Sequence, residues 1–237
     1  MRLARFVLAL ALLAAVGLGG SGVGVRLGLW PFGAGFQLLR WSAYLGLAAA
    51  GIAVVGLLIP SARTGELGAL VVALALGLGV AYLPWHWRQR ARAFPPIHDI
   101  STDLEHPPDF VAVLPLRADA PNPSSYGGAE VAAAQRRAYP EIQPLILAAP
   151  PPAAFARALD VAKAQGWALV AADSAEGRIE ATATTTWFGF KDDIVANSHS
   201  CSYLYPSKPM QPHAHAFGAR RRAGQQLQES VPNPAPG

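Results

Sequence analysis

An α+β fold, in which three membrane-spanning helices precede a small soluble domain, is predicted by three features of this 237-residue chain. The first is a set of apolar stretches at residues 6–25, 41–60 and 67–87, none of which holds an Asp, Glu or Lys. At 1.5 Å per residue, about 20 residues cross the roughly 30 Å of hydrocarbon in a bilayer. A helix also satisfies its own backbone groups there without a tertiary partner. The second feature is a pair of periodicities further on. Phe155, Leu159 and Ala162 recur at helical spacing, and Ile179, Ala181 and Ala183 alternate with polar residues as in a strand. The third is an abrupt loss of any periodicity from Ala196 onward.

Composition supports the division. The charged fraction is 14% and the apolar fraction 52%, against about 25% charged in ordinary soluble chains. The net charge of +4 does not point to nucleic acid, because Arg2, Arg5, Arg88, Arg90 and Arg92 flank the apolar stretches as topology-setting charge does. No nucleic-acid partner is expected; the lipid bilayer is, with a protein or lipid partner of the soluble domain left open. Cys201 is the only cysteine, so no intrachain disulfide forms. Arg2 and Arg5, the run 6–16 and the small residues 17–22 resemble a signal peptide. No A-x-A pattern follows, and the first span is expected to stay uncleaved.

The first span is Gly-rich near its end, which permits close helix approach. A connector over 26–40 carries Trp30, Pro31, Phe32 and Phe36, suited to the headgroup zone. Span two ends at Pro60, 61–66 is a polar turn, and span three closes on Tyr82, Trp85, Trp87 and the basic run 88–92. Residues 1–93 thus form the transmembrane region. If Arg2 and Arg5 hold the amino terminus inside, the soluble domain faces the periplasm. The bare count of arginines, with Arg26, Arg40, Arg88, Arg90 and Arg92 on the domain's side, points the other way.

Residues 94–140 read as a Pro-rich linker with a short helix near 129–138. The α+β core is expected at 141–195: a strand at 142–147, then a helix opened by Pro151 and Pro152 and closed at Gly166. Strands at 167–172, 178–185 and 187–195 follow. The order β-α-β-β-β lays one helix across an antiparallel sheet, with one face packed and one meeting water. Residues 196–237 carry six prolines and no Ile and are expected to be disordered, which would leave the strand 187–195 at an open edge.

Several separated motifs carry a family resemblance. The stretch 95–103, Pro-Pro-Ile-His-Asp-Ile-Ser-Thr-Asp, is followed by Pro107-Pro-Asp-Phe110 and, later, by Tyr139-Pro-Glu-Ile-Gln-Pro144. Gly166-Trp167, the run 173–182 and Thr186-Trp-Phe-Gly-Phe-Lys-Asp-Asp193 complete the set. Together they resemble the domain-of-unknown-function 1499 family, including its three-span bacterial members. The resemblance implies a membrane-associated bacterial protein with a small α+β domain and brings no assigned activity; the bacterial inner membrane is the expected location. The chain departs from the family's pattern after Val195, where a basic strand, an Arg-Ser-rich strand and a final helix usually follow. The Pro, Ala, Arg and His bias of the tail suggests a reading-frame change near codon 196.

Three constellations could carry chemistry. His98, Asp99, Asp103, Glu105 and His106 place imidazole and carboxylate within nine residues. His98, Asp99, Asp103 and His106 are the candidate metal ligands, and a metal-bound water would make the protein a membrane-anchored hydrolase. The competing reading is a solvated segment in which Asp99 and Asp103 cap turns. Trp187, Phe188, Lys191 and Asp192 could form an aromatic-lined groove for a peptide or lipid; the competing reading is a core strand entering a turn. His199, Cys201, His213 and His215 could bind metal adventitiously. No G-x-S-x-G, Walker loop, H-E-x-x-H or dinucleotide fingerprint occurs, so no catalytic residue is assigned and no cofactor is expected. The residues favour a binding or structural role, with the metal-dependent hydrolase as the alternative.

Overall fold

The computed structural model describes residues 2–118, 120, 122–145, 147, 149–198 and 202–206. The chain divides into two units, Met1–Ala91 with Thr186–Gly189, and Arg92–Thr185 with Phe190–Gly237. The expected metal-binding tail residues His199, Cys201, His213 and His215 lie outside the described residues, as does the whole of 207–237.

The first unit is built from α1 (Arg2–Arg26), α2 (Phe32–Leu58), the single turn α3 (Pro60–Arg63) and α4 (Leu67–Arg92). Among the described residues three helices are long and apolar enough to cross a membrane: Leu3–Arg26, Phe32–Leu58 and Leu67–Arg92. Their packing is inverted relative to a water-soluble bundle. The buried positions are mostly small and follow a three-four spacing: Ala4, Val7, Ala11, Ala14 on α1; Ser42, Gly46, Ala49, Ala53 on α2; Leu70, Ala73, Gly77, Val80 on α4. Phe6, Val16 and Leu58 point outward at 57%, 70% and 75% exposure. In lipid the large side chains lose nothing by facing out, while small seams let backbones meet. At the α2–α4 crossing a Cβ on Gly46 would stand 2.8 Å from the carbonyl oxygen of Gly77, so side chains larger than hydrogen would push the two helices apart.

α2 starts at Phe32, nine residues ahead of the expected span, so the connector shrinks to a tight turn. Pro31, extended at φ −67° and ψ 157°, precedes the first turn, and nothing after it breaks the helix. Trp30 folds back, donating its indole N–H to the Ser21 carbonyl at 3.2 Å. Arg40 therefore lies inside a helix. The apolar part of α2 still begins at Trp41, and its 27 residues exceed what hydrocarbon alone requires.

The second unit centres on a five-stranded antiparallel sheet: β1 (Asp99–Ser101), β2 (Ala168–Asp173), β3 (Arg178–Thr184), β4 (Lys191–Asn197) and β5 (Ser202–Pro206), in the order β1-β5-β4-β3-β2. α6 (Pro151–Ala164) covers one face, packing Phe155, Ala158 and Leu159 on Ile179 and Ala196. Gly166, at φ +70°, turns the chain out of this helix as expected. On the opposite face Phe110, Val113 and Tyr126 pack on Val195 and Val170. A 3-10 turn, Leu114–Arg117, and α5 (Gly128–Ala138) complete that layer.

The α+β class and the β2-β3-β4 meander stand as read, and four local expectations are corrected. The described residues of 142–147 form no strand, since Pro144 removes a ladder donor. The stretch 94–140 is no free linker, because it supplies β1 and the core residues Phe110 and Val113. The sheet face expected to meet water is covered. Finally, β4 begins at Lys191 rather than Trp187, and β5 pairs with it through Val195↔Leu204, so β4 is interior and β2 and β1 are the edges.

Candidate functional site

The polar residues of β1, β3 and β4 converge on the sheet face covered by 110–126 and α5. Glu180, 1% exposed, accepts hydrogen bonds from three consecutive amides: Val111 and Ala112 to Oε1 at 3.0 and 3.1 Å, and Val113 to Oε2 at 2.8 Å. The Arg178 guanidinium lies 3.9 Å from Oε1. One residue pair further along, Asp193 accepts from Arg117 Nη1 at 2.9 Å and from the Thr182 hydroxyl at 2.6 Å. Arg117 also donates to the Asn122 carbonyl at 3.3 Å. A carboxylate with charge-assisted donors of this kind holds chain segments in place.

At β1, Ser101 and Gln135 form a reciprocal pair. The Ser101 amide donates to Gln135 Oε1 at 3.0 Å, and Gln135 Nε2 donates to the Ser101 carbonyl at 2.5 Å. Tyr126 donates to the same Oε1 at 3.4 Å. Beside them Asp99 is 5% exposed, and burial raises its carboxyl from the ordinary range to about 6, against the opposing pull of His98 and Arg117. Burial also raises the Tyr126 phenol, and the Asp99 charge adds to it. His98 Nδ1 is buried without a hydrogen-bond partner among the described residues.

Of the proposed metal ligands, Asp103 caps a turn: its Oδ1 accepts from the amides of Glu105 and His106 at 3.0 and 2.9 Å. Asp99 is instead drawn into the buried layer. Among the described residues no group of three or more His, Cys, Asp or Glu side chains is placed to hold a metal ion.

Trp187 and Phe188 belong to the helical unit. A hydrogen bond from Phe190 N to Thr185 Oγ1 at 2.8 Å, with Thr185 N to Phe190 O at 2.8 Å, closes a four-residue loop. Gly189 turns that loop at φ +69°, a conformation that L side chains rarely adopt. Trp187 donates its indole N–H to the Gly19 carbonyl at 2.9 Å and meets Trp87 with ring centres 5.2 Å apart. Phe188 stacks on Phe36 at 4.9 Å and 11°. Arg26 Nη1 donates to the Thr186 carbonyl at 2.7 Å. A Cβ on Gly22 would stand 2.6 Å from the Trp187 ring, so the seat for this ring depends on glycine. Lys191 and Asp192 fall on β4, Lys191 exposed and Asp192 buried.

Residues 99–200 match the family model described as a protein of unknown function, DUF1499. The match lies within the second unit and spans less than half of the 237-residue chain. No curated protein and no solved structure matches. The DUF1499 match begins at β1, which agrees with the structure in placing 99–101 inside the domain, and runs on past Val195 to Ser200.

Sequence reasoning missed Glu180, Arg117, Gln135, Ser101 and Tyr126 as members of the buried layer. Glu180 did leave a trace. It stands within the strand between Ile179 and Ala181, and Glu is among the residues depleted in strands.

Proposed function

We propose that this membrane protein serves a binding or structural role at the bacterial envelope, with its DUF1499 domain displayed beside the bilayer. The observation that carries the reading is Glu180. The most buried carboxylate of the domain is spent on three backbone amides, and Asp193, Gln135 and Asp103 likewise fix chain segments. Their polar capacity serves architecture, in the manner of a scaffold that presents a surface.

A second reading, a metal-dependent hydrolase, draws support from the unpartnered His98 Nδ1 beside the buried Asp99. Calorimetric titration of the detergent-purified full-length protein with zinc, manganese and magnesium separates the two. The scaffold reading expects no stoichiometric site. A micromolar site lost in both His98→Ala and Asp99→Ala overturns it.

We further propose the bacterial inner membrane as the location, with the domain in the periplasm, on the ground that Arg2 and Arg5 retain the amino terminus inside. A Cys201→Ser, Ser174→Cys variant tests the side. Labelling by a membrane-impermeant maleimide in osmotically permeabilised cells supports the periplasm, and labelling only after lysis places the domain in the cytoplasm.

A further inference from the structure

The two ends of the helical unit differ in how their charge is balanced. At the end where α1 starts and α4 begins, Arg5 lies 3.6 Å from Glu66. At the opposite end, where α1 stops, α2 starts and α4 stops, stand Arg26, Arg40, Arg88, Arg90 and Arg92, and residues 26–98 hold no acidic residue but Glu66. Arg26 is engaged with the Thr186 carbonyl. Arg88, Arg90 and Arg92 are exposed on the last turns of α4, and among the described residues of the helical unit no carboxylate stands at that end beside Arg88 and Arg90.

The α4 sequence orders this charge. Trp85, Arg88 and Arg92 stand at i, i+3 and i+7, on one stripe of the helix, with Tyr82 one turn earlier. Tyr82 and Trp85 are each 56% exposed, with ring centres 5.9 Å apart. Trp87 points away, toward Trp187 inside the unit. Counted from Leu67, about 20 residues cross the hydrocarbon. Tyr82 and Trp85 then sit at its boundary, and Arg88 and Arg92 extend into the headgroup zone beyond.

We propose that this stripe of α4 is a binding surface for anionic phospholipid, with Arg88 and Arg92 on the headgroup phosphate and Tyr82 and Trp85 against the glycerol and upper acyl chain. Guanidinium offers paired donors to phosphate oxygens, which an ammonium does not. The rings give the lipid an apolar flank at the depth where aromatic side chains settle. The surface deepens the reading of a bilayer-embedded protein and rests on it.

The test uses the full-length protein reconstituted into vesicles of brominated phosphatidylglycerol, brominated phosphatidylcholine or their mixtures, with tryptophan quenching as readout. Trp30, Trp41, Trp85, Trp87 and Trp187 of the helical unit all lie in or beside the segments at this end. Phosphatidylcholine should quench, which checks the bilayer placement by itself. Phosphatidylglycerol should be preferred by about fivefold per arginine. Arg88→Gln with Arg92→Gln should abolish the preference, the corresponding Lys pair should retain part of it, and Arg5→Gln should leave it unchanged. Equal quenching by both lipids, or a preference that survives the double Gln change, overturns the proposal. So does displacement by millimolar inorganic phosphate, since that would mark a soluble-anion site. Absence of quenching by either lipid would instead overturn the membrane reading on which the surface rests.

Discussion

Replacing Glu180 is the sharpest test of how the second unit is held together. In Glu180→Ala the amides of Val111, Ala112 and Val113 lose their acceptor together. The Val113 amide is buried and would carry the full cost of an unmade hydrogen bond to a charged group, about 2–3 kcal/mol. The Val111 and Ala112 amides are partly buried, so water replaces some of what is lost and about 1 kcal/mol each is expected. The sum, about 4 kcal/mol, is a large share of the 5–15 kcal/mol that separates a folded domain from its unfolded chain. Glu180→Gln retains the shape but turns one acceptor oxygen into a donor, so at least one of the three amides meets a like group, at a cost of about 2 kcal/mol. Hydrogen exchange of the full-length protein in detergent micelles, read on the peptide covering 110–117, measures this directly. Exchange at 111–113 should accelerate roughly 100-fold or more in the Ala variant, since each 1.4 kcal/mol is a factor of ten. Unchanged protection there, with a urea midpoint matching the wild type, would show that the amides do not depend on Glu180, and the account of this layer would fail.

Three further outcomes follow from the same geometry. Asp99, held at about 6 by burial against 3.8 when free, keeps its proton in the folded state while the unfolded chain loses it between those values. Stability therefore falls as pH rises through this window, by at most about 3 kcal/mol, so Asp99→Asn should be more stable than wild type at pH 7.5 and equal to it near pH 4 by urea titration; a less stable variant at pH 7.5 refutes this. Arg117→Met leaves the buried Asp193 carboxylate with only the Thr182 hydroxyl and should cost about 3 kcal/mol, while Arg117→Met with Asp193→Leu should recover most of it; additive losses in the double-mutant cycle would refute the pairing. Trp187→Ala should lower the thermal midpoint of the helical unit in detergent by the equivalent of about 2–3 kcal/mol, and Gly22→Val, whose side chain would meet the same ring, should do at least as much; no shift in either would show that the indole seat adds nothing.

Much of the helical unit was legible because lipid imposes a simple rule: long, apolar and uncharged. The exact start of α2 was not, because the aromatic connector 30–36 reads equally as a headgroup loop and as a first helical turn. The small-residue seams at Ala4, Val7, Ala11 and Ala14, and at Gly46, Ala49 and Ala53, were present in the sequence at three-four spacing and fix which faces pack. In the domain, α6 and strands β2 to β4 announced themselves by period. β1 and β5 could not. Three residues in β1 and five in β5 are too few to show alternation, and both earn their place through pairing with distant partners, as in Ser101↔Leu204. Trp187 and Phe188 look like strand residues until Gly189 reverses the chain. Local sequence does not reveal which unit a loop joins.

Two of the failed expectations share one cause. The stretch 107–123, interrupted by Pro107, Pro108, Pro115, Pro121 and Pro123, cannot form a ladder with the sheet, since each proline removes a donor and fixes φ. Read alone, such a stretch is a linker. Its amides still need acceptors if it is to be buried, and successive N–H groups in a tight turn form a concavity that suits an anion. The acceptor must then come from the sheet beneath, at a position facing the turn. Glu180 occupies it, on the strand face whose polar residues read as solvent-facing. The polar face of β3 and the Pro-broken segment above it are two halves of one interlock: the carboxylate is buried because the amides need it, and the amides can be buried because the carboxylate is there. A sequence in which a proline-rich stretch is followed by a strand with a lone central acid should be read with that pairing in mind, and in this chain Val113, fully buried at 0% exposure between the two, marks where they close.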